Sequence, residues 1–260
     1  MKNIIIKIFS LIVFITTLNA IDKDQCKLKG NNFIFAGGEC IQFHEALGDR
    51  KGILTIVVHG TWKEGSNTLG RYAPFADELA MQTDITTIAI ALPGYSNSST
   101  NNFPALSHKG VKHLASNKNY IEFLGDLIIK LKNKYDAKIV NYIGHSAGAA
   151  MGATLSGYKP NLINFMVAAG GYYDIHKRSK NKDLISLIDF INNKDIKTKY
   201  LLVYGTEDKI SKPDITIDFY KIAKHKGMDV TLIEVEDYGH LDLDMSETTV
   251  DAIVDSLEEE

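Results

Sequence analysis

Apolar residues fall along this chain in short runs set between polar segments, and from residue 53 onward the runs alternate in kind. Ile53 to Val58, Ile85 to Leu92, Lys138 to Ile143, Leu162 to Ala169, Tyr200 to Tyr204 and Val230 to Val235 are near-continuous and rich in β-branched residues. Such runs read as strands covered on both faces in a parallel sheet. Between them lie segments with a helical period. Tyr120 to Tyr135 carries Ile121, Leu124, Leu127, Ile128, Leu131 and Tyr135 on one stripe. Arg71 to Met81, with Pro74 in its first turn, reads as a helix, as do Asp214 to Lys226 and Glu247 to Leu257, the last capped by Ser246. One more helix is expected over Asp183 to Ile191.

Upstream, residues 21–32 read as irregular, and Asp49 to Gly52 as a polar break. Phe33 to Phe35 and Cys40 to His44 read as two short strands around a Gly37-Gly38 turn. The alternation predicts an α/β fold: a doubly wound, mostly parallel sheet of about eight strands, with helices on both faces and right-handed crossovers. Residues 21–260 form a single domain on this reading. The Ser- and Asn-rich stretch from Tyr95 to Asn119 is too long for a simple connection, so it carries a short helix or borders a binding site.

The first twenty residues are a separate matter. Lys2 is followed by an apolar run from Ile8 to Leu18, and Leu18-Asn19-Ala20 ends in a small residue. This is the pattern of a secretory signal peptide over residues 1–20, cleaved after Ala20, with an uncleaved anchor as the alternative. The run is short for a membrane span. Export to a periplasmic or secreted location permits disulfides, and the chain has two cysteines, Cys26 and Cys40. A bridge between them would pin the mature N-terminus. No His pair stands beside them, so no structural metal is expected. The whole chain of 260 residues has a formal charge of −3, and without residues 1–20 it has −5. Nothing is basic enough for a nucleic-acid binder. At 45% apolar and 23% charged residues, the composition is that of a globular domain.

Candidate chemistry centres on Gly144-His145-Ser146-Ala147-Gly148, between a strand and a small-residue helix. A serine there sits on a sharp turn that lifts its hydroxyl out of the sheet. A serine hydroxyl needs a base, and His240 after the last strand can supply one, since an unperturbed imidazole titrates near ~6.5. An acid must orient that imidazole. Asp208 at the end of another strand is the candidate, with Asp237, Asp242 and Asp244 as alternatives. Backbone N–H groups of Ala147 and of Thr61, in His59-Gly60-Thr61, are the candidate oxyanion donors, with Trp62 in reserve. In open parallel sheets ligands bind at the carboxyl ends of strands, where all of these residues fall.

These motifs resemble the α/β-hydrolase superfamily over residues 33–260. The order Ser146, Asp208, His240, spaced by 62 and 32 residues, is that family's order. Gly144 to Gly148 is similar to its nucleophile elbow, His59-Gly60-Thr61 to its oxyanion loop, and Gly205 to Asp208 to its acid turn. Tyr238-Gly239-His240 is similar to its histidine loop, and Leu92 to Ser96 to a Pro-Gly turn found in many members. The resemblance implies an enzyme that cleaves carboxylic esters through an acyl-enzyme and needs no cofactor. Only residues 172–198 are available for a lid, which implies a lidless or small-lid member like the acyl esterases and dienelactone hydrolases, here with serine in place of the latter's cysteine.

Other readings stand beside this one. The elbow does not separate esters from amides, so a peptidase or amidase is the alternative, and an acyltransferase or a silent binding protein on the same scaffold is another. The expected partner is a small ester or acyl substrate, with no nucleic acid and no membrane span after signal cleavage. Trp62, Tyr95, His145 and Tyr172 are candidate pocket residues, and Tyr173 shares their setting. His145 is structural or pocket-lining, and His59 braces the oxyanion loop. Ser96, Ser98, Ser99, His108, His113, His176 and His225 read as solvated, as does the Glu258 to Glu260 tail. Specificity is assigned to loops 62–71, 95–119 and 172–182.

Overall fold

The structure, a computed structural model, describes residues 20–258. All but Ala20 of the expected signal peptide over residues 1–20, and the last two glutamates, lie outside the described residues.

Eight strands form one sheet: β1 (Phe33–Ala36), β2 (Glu39–Ala46), β3 (Arg50–Val58), β4 (Ile85–Ile90), β5 (Ile139–His145), β6 (Phe165–Ala169), β7 (Lys199–Gly205) and β8 (Val230–Val235). Their spatial order is β1-β2-β4-β3-β5-β6-β7-β8. β1 pairs antiparallel with β2, and β2 antiparallel with β4. All later pairings are parallel. The parallel strands are the continuous apolar runs, and every residue of β4 and β6 is buried. β3 starts earlier than expected, at Arg50, because an irregularity between Arg50 and Thr55 lets the polar segment pair with Ile85 before the regular register begins.

Six helices flank the sheet: α1 (Lys23–Leu28), α2 (Leu69–Thr83), α3 (Lys118–Lys134), α4 (Ala147–Tyr158), α5 (Pro213–His225) and α6 (Glu247–Glu258). The chain leaves β3 for β4 in one direction and returns to β5 in the other. Right-handed crossovers therefore put α2 on one face and α3, α4 and α5 on the other. The packing agrees, with α2 against α6 and α3 against α4. The adjacent strands β3 and β5, whose connections leave in opposite directions, make the topological switch point, where an open sheet leaves a crevice at the strand ends.

Three expectations need correction. Residues 21–32 contain α1, held by a capping box in which Asp22 accepts from the Gln25 N–H and Gln25 bonds back. Asp183 to Ile191 is no helix. Leu184 bridges to Asn117, and the Ile185 N–H donates to Ser116 O, which draws the segment out and leaves one 3-10 turn at Leu187–Phe190. α2 starts at Leu69, so Pro74 lies in its second turn and removes one internal hydrogen bond.

The long segment after β4 forms a 3-10 turn at Leu114–Ser116 and is anchored by a buried carboxylate. Glu39 is fully buried at the start of β2. It accepts from the Ser99 hydroxyl and from the backbone N–H groups of Asn101 (2.8 Å), Asn102 and Phe103 (2.9 Å). Ser99 also receives the Cys40 N–H, and the Ser98 hydroxyl donates to Ala91 O. Neither serine is the solvated loop residue expected from sequence; they bind a polar loop to the sheet edge. Cys26 on α1 and Cys40 on β2 form a disulfide, with Cα atoms 5.4 Å apart. In the chain-entropy model, closing a loop of this length contributes about 3 kcal/mol. α1, the hairpin and the long loop are thus one cross-linked unit at the sheet edge. Among the described residues no helix is long and apolar enough to cross a membrane.

Replacing Glu39 by Gln presents an amide N–H₂ to a ring of donors. The expected loss is about 3 kcal/mol in chemical denaturation, with faster amide hydrogen exchange confined to residues 99–103.

Candidate active site

The strand-to-helix turn at Ser146 is tight because three backbones meet there. A Cβ on Gly148 would lie 2.3 Å from Val58 O, and one on Gly60 would lie 2.8 Å from Ser146 Cβ. Only glycine admits such approach. Ser146 itself has φ 53° and ψ −114°, a strained conformation for a residue with a side chain. It is held by its own N–H to Ala169 O (2.8 Å) and by the buried Tyr142, whose hydroxyl donates to Gly148 O (2.8 Å).

Three expected residues from three strand ends meet in a line. His240 Nε2 lies 2.8 Å from Ser146 Oγ, and His240 Nδ1 lies 2.7 Å from Asp208 Oδ2. The other Asp208 oxygen accepts the N–H groups of Ile210 and Ser211, both at 2.8 Å. Burial works against the Asp208 charge, but the bonds from His240 and from these N–H groups outweigh it. Its carboxyl is held below the usual range. An ionised carboxylate only accepts, so His240 carries its proton on Nδ1 and offers the Nε2 lone pair to the serine hydroxyl. The alternative acids lie elsewhere: Asp237 is exposed, Asp242 pairs with Arg71, and Asp244 is buried in the turn after His240.

His145 and His59 hold this line in place. His145 Nε2–H donates to His240 O (2.8 Å), so the ring fixes the histidine loop and does not line the cleft. His59 is fully buried. Its Nδ1–H donates to Gly60 O (2.7 Å), and its Nε2 accepts the Leu92 N–H (3.1 Å). It ties the loop after β3 to the end of β4. Burial, with nearby His145 acting in the same direction, lowers its pKa to about 4 against the Gly60 bond. Tyr95 is also buried. Its ring meets His59 edge-on, and its hydroxyl donates to Trp62 O (2.8 Å). Tyr95 and Trp62 therefore brace the Thr61 loop and are not pocket residues; the Trp62 ring lies under the Arg71 guanidinium.

Of the candidate pocket residues, Tyr172 alone borders the open cleft. The cleft, about 360 Å³, also takes in Ser146, His240, Thr61 and Ala147. Neither the Thr61 nor the Ala147 N–H donates to an acceptor among the described residues. Residues not singled out from sequence complete it: Leu106, Leu114 and Ala115 from the long loop, and Ile210 and Arg178 from the turns after β7 and β6. His113 lines it as well and is half-buried, against the surface position expected. These residues carry no motif; only their place after a strand end could have marked them. The helical turns of segment 172–198 are all 3-10, so this segment supplies no α-helical cap over the cleft. No cluster of His, Cys, Asp or Glu suited to a metal occurs among the described residues. The arrangement can pass a serine proton to an imidazole held by a buried carboxylate, beside two free N–H groups.

The chain has the α/β-hydrolase fold. No family model and no curated protein matches the sequence. Solved structures do match. An esterase from Pyrococcus furiosus is 18% identical, with a TM-score of 0.66 over 87% of this chain and 90% of that one. Est1E of Butyrivibrio proteoclasticus, solved with ferulic acid, is 12% identical, with a TM-score of 0.64 over 87% and 96%. A serine hydrolase without a lid from Xanthomonas campestris is 13% identical, with a TM-score of 0.57 over 85% and 87%. At such identities the likeness establishes the fold.

His59 generates a pH prediction. Folded, it stays neutral down to about pH 4, whereas the unfolded chain takes up a proton below about 6.5. Its contribution to stability is full above pH 6.5 and is lost as the pH falls to about 4, on the order of 3 kcal/mol. Denaturation midpoints across this range should show that slope, and His59→Gln should flatten it.

Proposed function

We propose that this chain is an exported serine hydrolase that cleaves carboxylic esters of small substrates. The observation that carries the reading is the unbroken hydrogen-bonded line from Ser146 through His240 to Asp208, opening on a cleft. Ser146 Oγ attacks the acyl carbonyl and passes its proton to His240 Nε2. Asp208 stabilises the imidazolium that forms. The N–H groups of Thr61 and Ala147 receive the developing oxyanion, each such donor contributing about 3 kcal/mol. His240 then protonates the leaving alcohol, and water, activated by the same imidazole, releases the acid. No metal or organic cofactor enters these steps. Esterases among the similar structures are the reason ester chemistry is proposed.

Export is supported by the Cys26–Cys40 disulfide, which an oxidising compartment favours. Cleavage after Ala20 would also place the new terminus where it is already held. The Ile21 N–H donates to Asn101 Oδ1 (2.9 Å), and Asn101 Nδ2 donates to Ile21 O (2.7 Å).

A fluorophosphonate should label wild-type protein at Ser146, and Ser146→Ala should lower kcat on 4-nitrophenyl esters by about 10⁴-fold or more with an unchanged Tm. An unlabelled, inactive wild-type protein would identify a binding module. For export, N-terminal sequencing of the protein recovered outside the cytoplasm should begin at Ile21, and thiol titration should find no free cysteine. A chain that retains Met1, or has two free thiols, contradicts that part.

A further inference from the structure

The cleft is uneven in charge. Leu106, Leu114, Ala115 and Ile210 make part of its wall apolar, and no aspartate or glutamate lines it. Its one permanently charged lining residue is Arg178. In a chain with an excess of acids, that residue forms no ion pair among the described residues. Acids are close by: Asp174, Asp214 and Asp218 line an adjoining groove that Arg178 also borders. None of them pairs with it.

The exposed guanidinium nonetheless lies over an aromatic ring. Its Cζ lies 4.6 Å from the centre of the Tyr172 ring. The Tyr172 hydroxyl is hydrogen-bonded to Ser116 Oγ (3.2 Å), at the end of the 3-10 turn that supplies Leu114 and Ala115. The aromatic platform is therefore tied to the opposite segment of the lining before any ligand arrives. A guanidinium stacked on an aromatic face keeps its in-plane N–H donors free, and two of them match the two oxygens of a carboxylate.

We infer that the cleft selects esters that carry a carboxylate elsewhere in the molecule, such as half-esters of dicarboxylic acids, with Arg178 as the carboxylate receptor and the apolar wall holding the intervening chain. This rests on the ester hydrolase reading above. The volume of about 360 Å³ suits a small acid of this kind. Arg178 is a specificity residue: it meets the substrate away from the reacting carbonyl.

The test compares matched pairs of substrates. One pair is mono-4-nitrophenyl adipate with 4-nitrophenyl hexanoate, which places the charge on the acyl side. The other is 4-carboxyphenyl hexanoate with phenyl hexanoate, which places it on the alcohol side. For at least one pair, wild-type kcat/KM should favour the charged member. Arg178→Gln should lower the ratio of charged to neutral kcat/KM by tenfold or more, and Arg178→Lys should give an intermediate ratio because it keeps the charge and loses the fork. A ratio unmoved by Arg178→Gln in both pairs overturns the inference. A second measurement does not depend on turnover. By calorimetry, adipate should bind wild-type protein more tightly than hexanoate does, and Arg178→Gln should remove the difference. Arg178-dependent adipate binding without hydrolysis of any ester would leave the carboxylate site standing and sink the hydrolase reading. Ester hydrolysis with no Arg178-dependent preference or binding would do the reverse.

Discussion

The structure depends on one strained residue being held still. Ser146 carries its side chain at φ 53° and ψ −114°, which costs on the order of 1–3 kcal/mol unless the surroundings enforce it. They do so by contact. The loop after β3 presses Gly60 against Ser146, and the first turn of α4 presses Gly148 against the end of β3. The parallel neighbours on either side of β5 fix its height in the sheet. The buried strands supply the packing that offsets the strain, and the strain points the hydroxyl out of the sheet. The elbow is thus a product of the whole sheet and not of five residues.

Two buried polar groups extend that order to segments with little apolar content. Glu39 collects donors from residues 99–103 and fastens the long loop to the antiparallel edge, where the Cys26–Cys40 bridge adds a covalent tie. His59 does the same for the loop after β3, with one ring nitrogen donating and the other accepting. A buried polar group left unpaired costs roughly 1–3 kcal/mol, so each of these groups holds its loop in a single arrangement. The walls of the cleft inherit their rigidity from residues outside it.

The three histidines at the strand ends differ because their partners differ. His59 is sealed from water and kept neutral. His145 spends its Nε2 proton on the carbonyl of His240. His240 alone is bonded to a buried carboxylate on one side and a hydroxyl on the other. Proton transfer requires that last setting, and the first two secure it.

The sequence by itself determined the sheet. Continuous apolar runs, helical stripes and glycine-bounded turns are local signals, and they placed eight strands and five of the six helices, together with Ser146, Asp208, His240, Thr61 and Ala147 at strand ends. α1 was missed because its capping box is short and polar, and residues 183–191 were misread because pairing with residues 116–117 overrode local preference. Which polar residues are buried was not legible. Ser99 and Tyr95 look like surface or pocket residues until a distant partner covers them. His113 looks like a solvated residue until two loops far apart in sequence bring it to the edge of a cleft. Periodicity reports the solvent exposure of regular elements, but a loop side chain takes its environment from whatever packs on it, and only the tertiary structure decides that.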